Sequence, residues 1–108
     1  MTEDQLLRGV LDMAGALGWW TYHARPAMTR AGKWVTPAQG TLATGWPDLV
    51  LAHPRGEILY VELKSASRQT ESQRMVEGVL RMAGATFHLW QPRDWRDGTI
   101  ERILRGAK

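Results

Sequence analysis

The amino-acid sequence predicts a single mixed α/β (α+β) domain, in which helices flank a small mixed β-sheet. Short segments with β-strand composition alternate with longer segments that carry apolar residues at helical spacing. The predicted strands are apolar on both sides, so helices must cover both faces of the sheet. A chain of 108 residues can bury one ordinary hydrophobic core. We therefore assign residues 1–108 to one domain.

The N-terminal half of the chain contains one predicted helix and three predicted strands. The helix covers residues 2–17, which carry one apolar stripe and precede Gly18, a typical helix stop. The strands are predicted at residues 19–24, 49–52 and 58–64. Because only a short turn separates the last two, we expect them to be neighbours in the sheet.

The C-terminal half contains a second helix, a fourth strand and a short final helix. The second helix is predicted at residues 70–83, and Gly84 stands just past its end. Residues 86–90 are predicted to form the last core strand, which Pro92 ends, and residues 99–104 a short helix. The pattern leaves the strand order of the sheet open.

The connection at residues 25–44 is long for a structureless loop in a compact domain, which favours a functional loop or a concealed hairpin. It carries Arg25, Arg30, Lys33 and Trp34. Cations interleaved with an aromatic residue suit a phosphate backbone and an unstacked base, so this segment is a candidate DNA contact. The alternative is a solvated loop whose tryptophan packs on the core or on a dimer partner. Both interpretations stay open.

Two arginines outside this connection could extend the same basic surface. Arg68 follows the predicted strand at residues 58–64, and Arg74 lies on the predicted second helix. An exposed arginine usually needs no explanation beyond solvated charge. The DNA-binding role of either residue is therefore one of two alternatives.

Two carboxylates and a lysine stand at the ends of neighbouring predicted strands. Asp48 follows a Gly-Trp-Pro tripeptide, and Glu62-Leu63-Lys64 ends the next strand. Side chains alternate along a strand, so Glu62 and Lys64 point to the same face. Charged groups at the end of an apolar strand are costly to cover unless paired or hydrated, which predicts a wet cleft. Across neighbouring strands, Asp48 and Glu62 can approach each other.

Two carboxylates in this arrangement favour a divalent cation. Hard oxygen ligands, without cysteine or closely spaced histidines, indicate Mg²⁺ or Mn²⁺. Such an ion would polarise a phosphate and lower the pKa of an attacking water, while Lys64 orients that water or neutralises charge developing on the phosphate. The pattern predicts a metal-dependent phosphodiesterase.

These residues resemble the PD-(D/E)XK nuclease superfamily, and within it the virus-type replication-repair nuclease (VRR-NUC) domains. The features that match are Glu3 in an acidic first helix, the Gly-Trp-Pro-Asp48 turn, Glu62-Leu63-Lys64-Ser65, Gln73 at the start of the second helix, and Gly84 before the last strand. The resemblance implies a restriction-endonuclease-like αβββαβ core. It also implies DNA cleavage, in compact members by homodimers similar to Holliday-junction resolvases.

The resemblance further implies a role for each matching residue. Asp48 and Glu62 would be metal ligands, Lys64 the catalytic lysine, Gln73 an active-site residue and Glu3 a further acid at the metal. Gln73 also completes a capping-box pattern at a helix start, and an acidic residue such as Glu3 is favoured in any first helical turn. Asp48, Glu62 and Lys64 could singly be turn chemistry or a weak surface salt bridge, but three such coincidences are harder to accept.

Composition excludes several classes of protein. A net charge of +3 permits nucleic acid as a partner without requiring it. No run approaches the roughly 18 apolar residues of a membrane span, and the N-terminus lacks a signal pattern. We expect no membrane partner and a cytoplasmic location, in a bacterial or phage-infected cell by the resemblance. The absence of cysteine excludes disulfides, a thiolate nucleophile and an Fe–S cluster.

The histidines and tryptophans give weaker indications. The three histidines, at positions 23, 53 and 88, show no short ligand spacing, and we expect none of them to be functional. Trp46 could form a wall of the cleft beside Asp48. Trp19, Trp20 and Trp90 are expected in the core or at an interface.

Three hypotheses from different classes follow. The first is a structure-specific DNA endonuclease that acts on branched DNA as a twofold homodimer, because a symmetric junction needs two symmetric cuts. The second is a flap nuclease or exonuclease on the same fold. The third is a non-catalytic nucleic-acid-binding module, against which the intact set of Asp48, Glu62 and Lys64 argues.

Overall fold

A four-stranded mixed sheet with helices on both faces forms the centre of the protein. The structure, a computed structural model, describes residues 1–24, 27–28, 30–35 and 39–106, with the backbone alone at 27–28 and 34–35. The helices are α1 (Glu3–Ala16), α2 (Glu71–Met82), α3 (Pro92–Arg96) and α4 (Thr99–Leu104). The strands are β1 (Trp20–His23), β2 (Ala27–Met28), β3 (Trp34–Val35), β4 (Leu49–His53), β5 (Glu57–Leu63) and β6 (Thr86–Trp90). None of the described helices has the length and apolarity that crossing a membrane requires.

The main sheet has the strand order β1-β4-β5-β6. The pairs β1–β4 and β4–β5 are antiparallel, whereas β5 and β6 are parallel and are connected through α2. This arrangement confirms the predicted mixed sheet with flanking helices, and also confirms that the second and third predicted strands are neighbours. β5 is central in the sheet, and its side chains Leu59, Val61, Glu62 and Leu63 are buried.

Both long helices begin with a capping box. The Thr2 hydroxyl accepts a hydrogen bond from the Gln5 backbone N–H (3.1 Å), and the Gln5 side chain accepts one from the Thr2 N–H (2.8 Å). Thr70 and Gln73 repeat this reciprocal pair at the start of α2, at 3.2 and 2.8 Å. These bonds satisfy backbone donors that a helix start leaves unpaired, which is why both helices begin where the sequence predicts.

The main core lies on one face of the sheet, where α1, α3 and α4 pack. Its buried side chains are Leu6, Val10, Ala14, Trp19, Leu49, Leu51, Leu59, Val61, Leu63, Trp90, Ile100 and Leu104. On the other face, α2 covers β5 and β6 through a smaller cluster of Val76, Leu80 and Phe87, with Trp46 and Tyr60 packed against it. The end of β5 that carries Glu62 therefore lies between these two apolar clusters.

The half of the α2 face formed by β1 and β4 is open. Trp20 is 76% exposed and Tyr22 59% exposed, so of the two alternatives given for Trp20, core or interface, the core is wrong. Ala52 pairs with Trp20 on one neighbouring strand and with Ile58 on the other, so the three side chains lie on the same face. Ile58 is 53% exposed there. Trp19 and Trp90 are buried in the core as expected.

One open alternative is confirmed, and two details differ from the sequence prediction. The 25–44 connection contains the β2–β3 hairpin, one of the two alternatives, whose two-residue strands are too short to produce a periodic pattern. Pro92 does not only end β6; it is also the first residue of α3, a position that suits a residue without a backbone N–H. β5 ends at Leu63, but the Lys64 N–H still donates to the Trp90 carbonyl (3.0 Å).

A group of polar contacts ties together the end of the sheet farthest from Asp48. The Trp19 indole N–H donates to the Leu104 carbonyl (2.8 Å), which also accepts from the Arg55 guanidinium (3.2 Å). His53 Nδ1 accepts from the Arg55 backbone N–H (3.1 Å), so its Nε2 carries the proton that is donated to the Leu17 carbonyl (3.0 Å). These bonds fix the β4–β5 turn to the ends of α1 and α4.

Candidate functional site

Strand pairing places Asp48 and Glu62 opposite each other. The β4–β5 ladder ends on this side at the pair of Leu49 with Val61, so Asp48 and Glu62 occupy the next pair of positions outward. Oδ2 of Asp48 accepts a hydrogen bond from the Leu63 backbone N–H (2.8 Å), which anchors the Asp48 side chain against the end of β5. The predicted approach of the two carboxylates is therefore present.

Glu62 is buried, with 1% of its surface exposed, and in the described part of the chain neither carboxylate oxygen has a hydrogen-bond partner. This corrects the expectation that Glu62 opens into a wet cleft: the Glu62 side chain is buried, whereas its neighbour Asp48 lines two cavities. Burial of the Glu62 carboxyl, together with the closeness and negative charge of Asp48, raises the pKa of Glu62 from 4.5 to about 9, and the charge of Lys64 opposes part of this rise. Two ionised carboxylates cannot hydrogen-bond each other, so this pair requires either a shared proton or a cation.

A divalent cation fits this pair of side chains. Mg²⁺ in proteins is commonly held by one or two carboxylates, with waters and substrate phosphate oxygens as its other ligands. Among the described residues, no group of three or more histidine, aspartate or glutamate side chains is placed to hold a metal ion. The arrangement therefore suits an ion that takes two protein ligands and draws the rest from water and substrate.

Two cavities open beside Asp48, one toward each long helix. The first, of about 330 Å³, is lined by Glu3, Asp4, Leu7, His23, Asp48 and Leu63. The second, of about 550 Å³, lies between the Ala43–Asp48 segment and the start of α2, and its lining includes His23, Trp46, Asp48, Thr70 and Gln73. Asp48 lines both cavities, so it is the carboxylate of the pair that solvent can reach.

Glu3 and Gln73 each line one of these cavities. Glu3 is exposed on the first turn of α1, and its charge adds slightly to the raised pKa of Glu62. Gln73 is half-buried, and its Oε1 accepts the Thr70 N–H of the capping box. The structural role proposed for Gln73 is present, and its side chain is also at the site.

Lys64 is half-buried immediately after β5. Its positive charge lowers the pKa of Glu62, so the ammonium group acts electrostatically on the buried carboxylate. The backbone bond from Lys64 to Trp90 fixes its position at the edge of β6. Lys64 thus stands at the same end of the sheet as both carboxylates.

Gly45 joins the Asp48 turn to the first turn of α2. Its φ is +91°, a left-handed conformation that favours glycine. A Cβ at this position would lie 2.8 Å from the Gln73 backbone nitrogen and closer still to the Ser72 carbonyl group. The absence of a side chain at Gly45 therefore lets the two backbones meet and brings Asp48 and Gln73 to one cavity.

The predicted nucleic-acid contacts do not line either cavity at Asp48. Arg30, Lys33, Arg68 and Arg74 are exposed, and Arg74 donates to the Gln69 carbonyl (3.2 Å). Arg25 lies outside the described residues, as does the side chain of Trp34.

His23 is a site residue that the sequence prediction missed. It lines both cavities beside Asp48, because its pairing with Leu49 brings the end of β1 next to the end of β4. The separation of His23 from Asp48 and Glu62 in the sequence does not indicate that His23 lies near them in the fold. Only the register of β1 against β4 could have identified it.

Comparison of the chain with protein-family models, with curated proteins and with solved structures found no match. The interpretation of this site therefore depends on its own geometry and on the chemistry of its side chains.

The close approach at Gly45 predicts a specific effect of adding one methyl group. Gly84→Ala is the matched control, because Gly84 has a φ of +89° and open space around it. We expect Gly84→Ala to lower the free energy of unfolding by about 1–2 kcal/mol, the cost of a left-handed alanine. Gly45→Ala should lose at least about 1 kcal/mol more, because its Cβ meets backbone atoms. Chemical denaturation would measure both, and equal losses would contradict this account.

Burial of Glu62 predicts that stability without metal falls as the pH rises. The pKa of Glu62 is near its ordinary value of 4.5 when the chain is unfolded and about 9 when it is folded, so the folded protein binds the proton more tightly. The resulting stabilisation is fully present below about pH 4.5 and is lost as the pH rises toward 9, by at most about 1.4 kcal/mol per pH unit. Denaturation in EDTA between pH 5 and 9 would measure the loss.

Glu62→Gln is the informative variant for this measurement, since an amide fills the same space without titrating. It should flatten the decline in stability over that pH range, and Asp12→Asn, at an exposed position on α1, should leave the decline unchanged. Parallel pH profiles for the wild type and Glu62→Gln would show that Glu62 is not the titrating group.

Proposed function

We propose that the protein is a metal-dependent, structure-specific DNA endonuclease of the PD-(D/E)XK type, close to the VRR-NUC domains, which hydrolyses phosphodiester bonds. The observation that carries this proposal is the buried Glu62 carboxylate, which faces Asp48 and has no hydrogen-bond donor among the described residues. A buried acidic pair with a lysine beside it is typical of a site built to hold a cation against a phosphate.

The order of the elements supports the proposed core. α1 is followed by three antiparallel strands of the main sheet, then by α2 and by the parallel strand β6. This order is compatible with the αβββαβ core that the resemblance implies, with the β2–β3 hairpin as an insertion. In such a core Asp48, Glu62 and Lys64 would occupy the positions that the resemblance assigns to them.

Each residue has a defined role in the proposed reaction. Asp48 and Glu62 would hold Mg²⁺ or Mn²⁺, which when bound supplies polarisation of the phosphate and acidification of an attacking water. Lys64 orients that water and offsets the negative charge that grows on the phosphate oxygens. Gln73 lines the cavity on the α2 side, where its backbone is fixed by the capping box. Glu3 stands at the opposite mouth of the site, as a further acid toward the metal's waters.

The proposed substrate is branched DNA, and the proposed active form is a homodimer. A four-way junction needs two symmetric cuts, and one chain offers one site. The open half of the sheet face supports pairing of two copies, because Trp20, Tyr22 and Ile58 expose large apolar side chains there. We place the activity in the cytoplasm of a bacterial or phage-infected cell, where such DNA intermediates occur.

Removing the acidic pair or the lysine is expected to abolish cleavage while preserving the fold. Glu62→Ala and Lys64→Ala should each lower the rate by at least about a hundredfold, since each removes a group that acts on the reacting phosphate. Labelled four-way junction, flap and linear duplex DNA would be incubated with Mg²⁺ or Mn²⁺ and with EDTA. Binding of the same DNA in EDTA should stay nearly unchanged.

Asp12→Ala controls for the loss of an exposed carboxylate on α1 and should cut at the wild-type rate. Paired cuts in the junction indicate a resolvase-like endonuclease, whereas cutting of only flaps or ends indicates the alternative nuclease class. Cleavage retained by Lys64→Ala, or resistant to EDTA, would refute the proposed site. A folded wild type that binds DNA and cuts none of the three substrates would instead indicate a binding module.

The dimer is expected to depend on the open sheet face. Trp20→Lys combined with Ile58→Lys should weaken self-association by at least about 30-fold, because buried aromatic side chains dominate the energy of interfaces. Sedimentation velocity across a protein concentration series would measure the shift. Met82→Lys, at a 90% exposed position on α2, is the control and should leave association unchanged. A monomeric wild type, or a double variant that dimerises normally, would contradict the assignment of this face.

A further inference from the structure

A separate basic cavity opens beside Lys64, at the carboxyl ends of β5 and β6. Its volume is about 480 Å³, and its lining includes Ser65, Ala66, Gln91, Arg93 and Arg96. The strand pairing of Leu63 with Trp90 brings its two sides together, since Ser65 follows β5 and Arg93 follows β6. None of the residues assigned to the carboxylate site lines this cavity.

The charges of the two neighbouring cavities are opposite. The cavity at Asp48 is lined by three acidic residues, whereas no acidic residue lines the basic cavity in the described part of the chain. Leu63 belongs to the first cavity and Ser65 to the second. The end of β5 therefore separates a site suited to a cation from a site suited to an anion.

The two arginines of the basic cavity are free to bind an anion, unlike several arginines elsewhere. Arg8, Arg81 and Arg105 each form an ion pair with an acid four residues earlier. Arg93 and Arg96 are exposed and form no ion pair among the described residues. Two acids adjoin these arginines in the chain, and both accept backbone hydrogen bonds: Asp94 from the Gln91 N–H (2.7 Å) and Asp97 from the Thr99 N–H (2.9 Å). Hydrogen bonds to Thr99 and, after them, the charges of Arg102 and Arg93 lower the pKa of Asp97, so Arg93 has an exposed acid near it but no ion pair.

We infer that this cavity binds a backbone phosphate of the DNA strand, one or two nucleotides from the phosphate that is cut. This inference rests on the proposed function. Guanidinium groups bind phosphate through paired N–H donors, and Ser65 adds a hydroxyl at the same opening. Leu63 lines the carboxylate cavity and Ser65 lines the basic cavity, and these two residues are at most about 7 Å apart along the chain, so the two cavities are close enough for phosphates of one strand to reach both.

A phosphate held there would position the strand across the end of β5. Lys64 lies between the two cavities in the chain, so a strand that places one phosphate at Arg93 and Arg96 passes its neighbour over Lys64 and Asp48. Arg93 and Arg96 are thus positioning residues, which contact the substrate away from the reacting bond. If Arg93 and Arg96 were ordinary solvated charges, DNA binding would not depend on any single phosphate.

The test compares two double variants, Arg93→Gln/Arg96→Gln and Arg102→Gln/Arg105→Gln. The second is the control, because it has the same change in charge and the same residue spacing, and its arginines line none of the three cavities. Binding to a fluorescent junction is measured in EDTA over a range of salt concentrations. The first variant should bind at least about tenfold more weakly, and its slope of log K against log salt should fall by about one. The control variant should match the wild type, and circular dichroism confirms folding of both.

A methylphosphonate at one linkage locates the contact. Neutralising the phosphate one or two nucleotides from the cut should weaken binding by the wild type to the level of the Arg93→Gln/Arg96→Gln variant, and should cost that variant nothing further. Additive losses, or a variant with wild-type affinity and slope, would overturn the inference even if the protein cuts DNA. The coupled loss in a protein that cuts nothing would support the cavity while refuting the nuclease, so the two failures are distinct.

Discussion

A pair of carboxylates at the ends of β4 and β5, half-buried Asp48 and buried Glu62, is the constraint around which this protein is arranged. Glu62 lies between two apolar clusters, with Asp48 opposite and neither of its own oxygens satisfied by a described residue. An arrangement of this kind destabilises a fold unless a proton or a cation completes it. Two interactions offset part of that cost. The Leu63 N–H donates a hydrogen bond to Asp48, and the positive charge of Lys64 favours the ionised form of Glu62. A purely structural sheet would gain stability from an apolar residue at position 62.

The second requirement is that α2 approach the Asp48 turn closely. Gly45 makes this contact possible, and the capping box of Thr70 and Gln73 fixes the start of the helix against it. The cavity between them is therefore formed by backbone as much as by side chains. Its walls come from three elements that are distant in sequence, and this is why the apolar clusters on the two faces of the sheet also determine the geometry of the site.

The sequence was sufficient to predict the helices, the core strands and the pairing of β4 with β5, because each follows from local periodicity, caps and turns. It predicted that Asp48 and Glu62 approach each other for the same reason. It could not predict that Glu62 is fully buried, since burial depends on how α2 and α1 close over the sheet. His23 reaches the site only through the register of β1, and Arg93 and Arg96 only through the parallel pairing of β5 with β6. The β2–β3 hairpin and α3 were too short to produce a pattern.

The mixed topology of the sheet also determines the order in which the site can form. Asp48 and Glu62 belong to a hairpin whose contacts are local in sequence, whereas β6 joins β5 only after the chain has passed through α2. Closing the shorter loop costs less conformational entropy, so we expect the β4–β5 hairpin to assemble first and β6 with α2 to dock later. The two carboxylates then meet while they are still hydrated. Glu62 loses its hydrating water only when β6 and α2 dock, so the free energy of its desolvation opposes that step. The late stage of folding therefore depends on the proton or cation that binds the carboxylates.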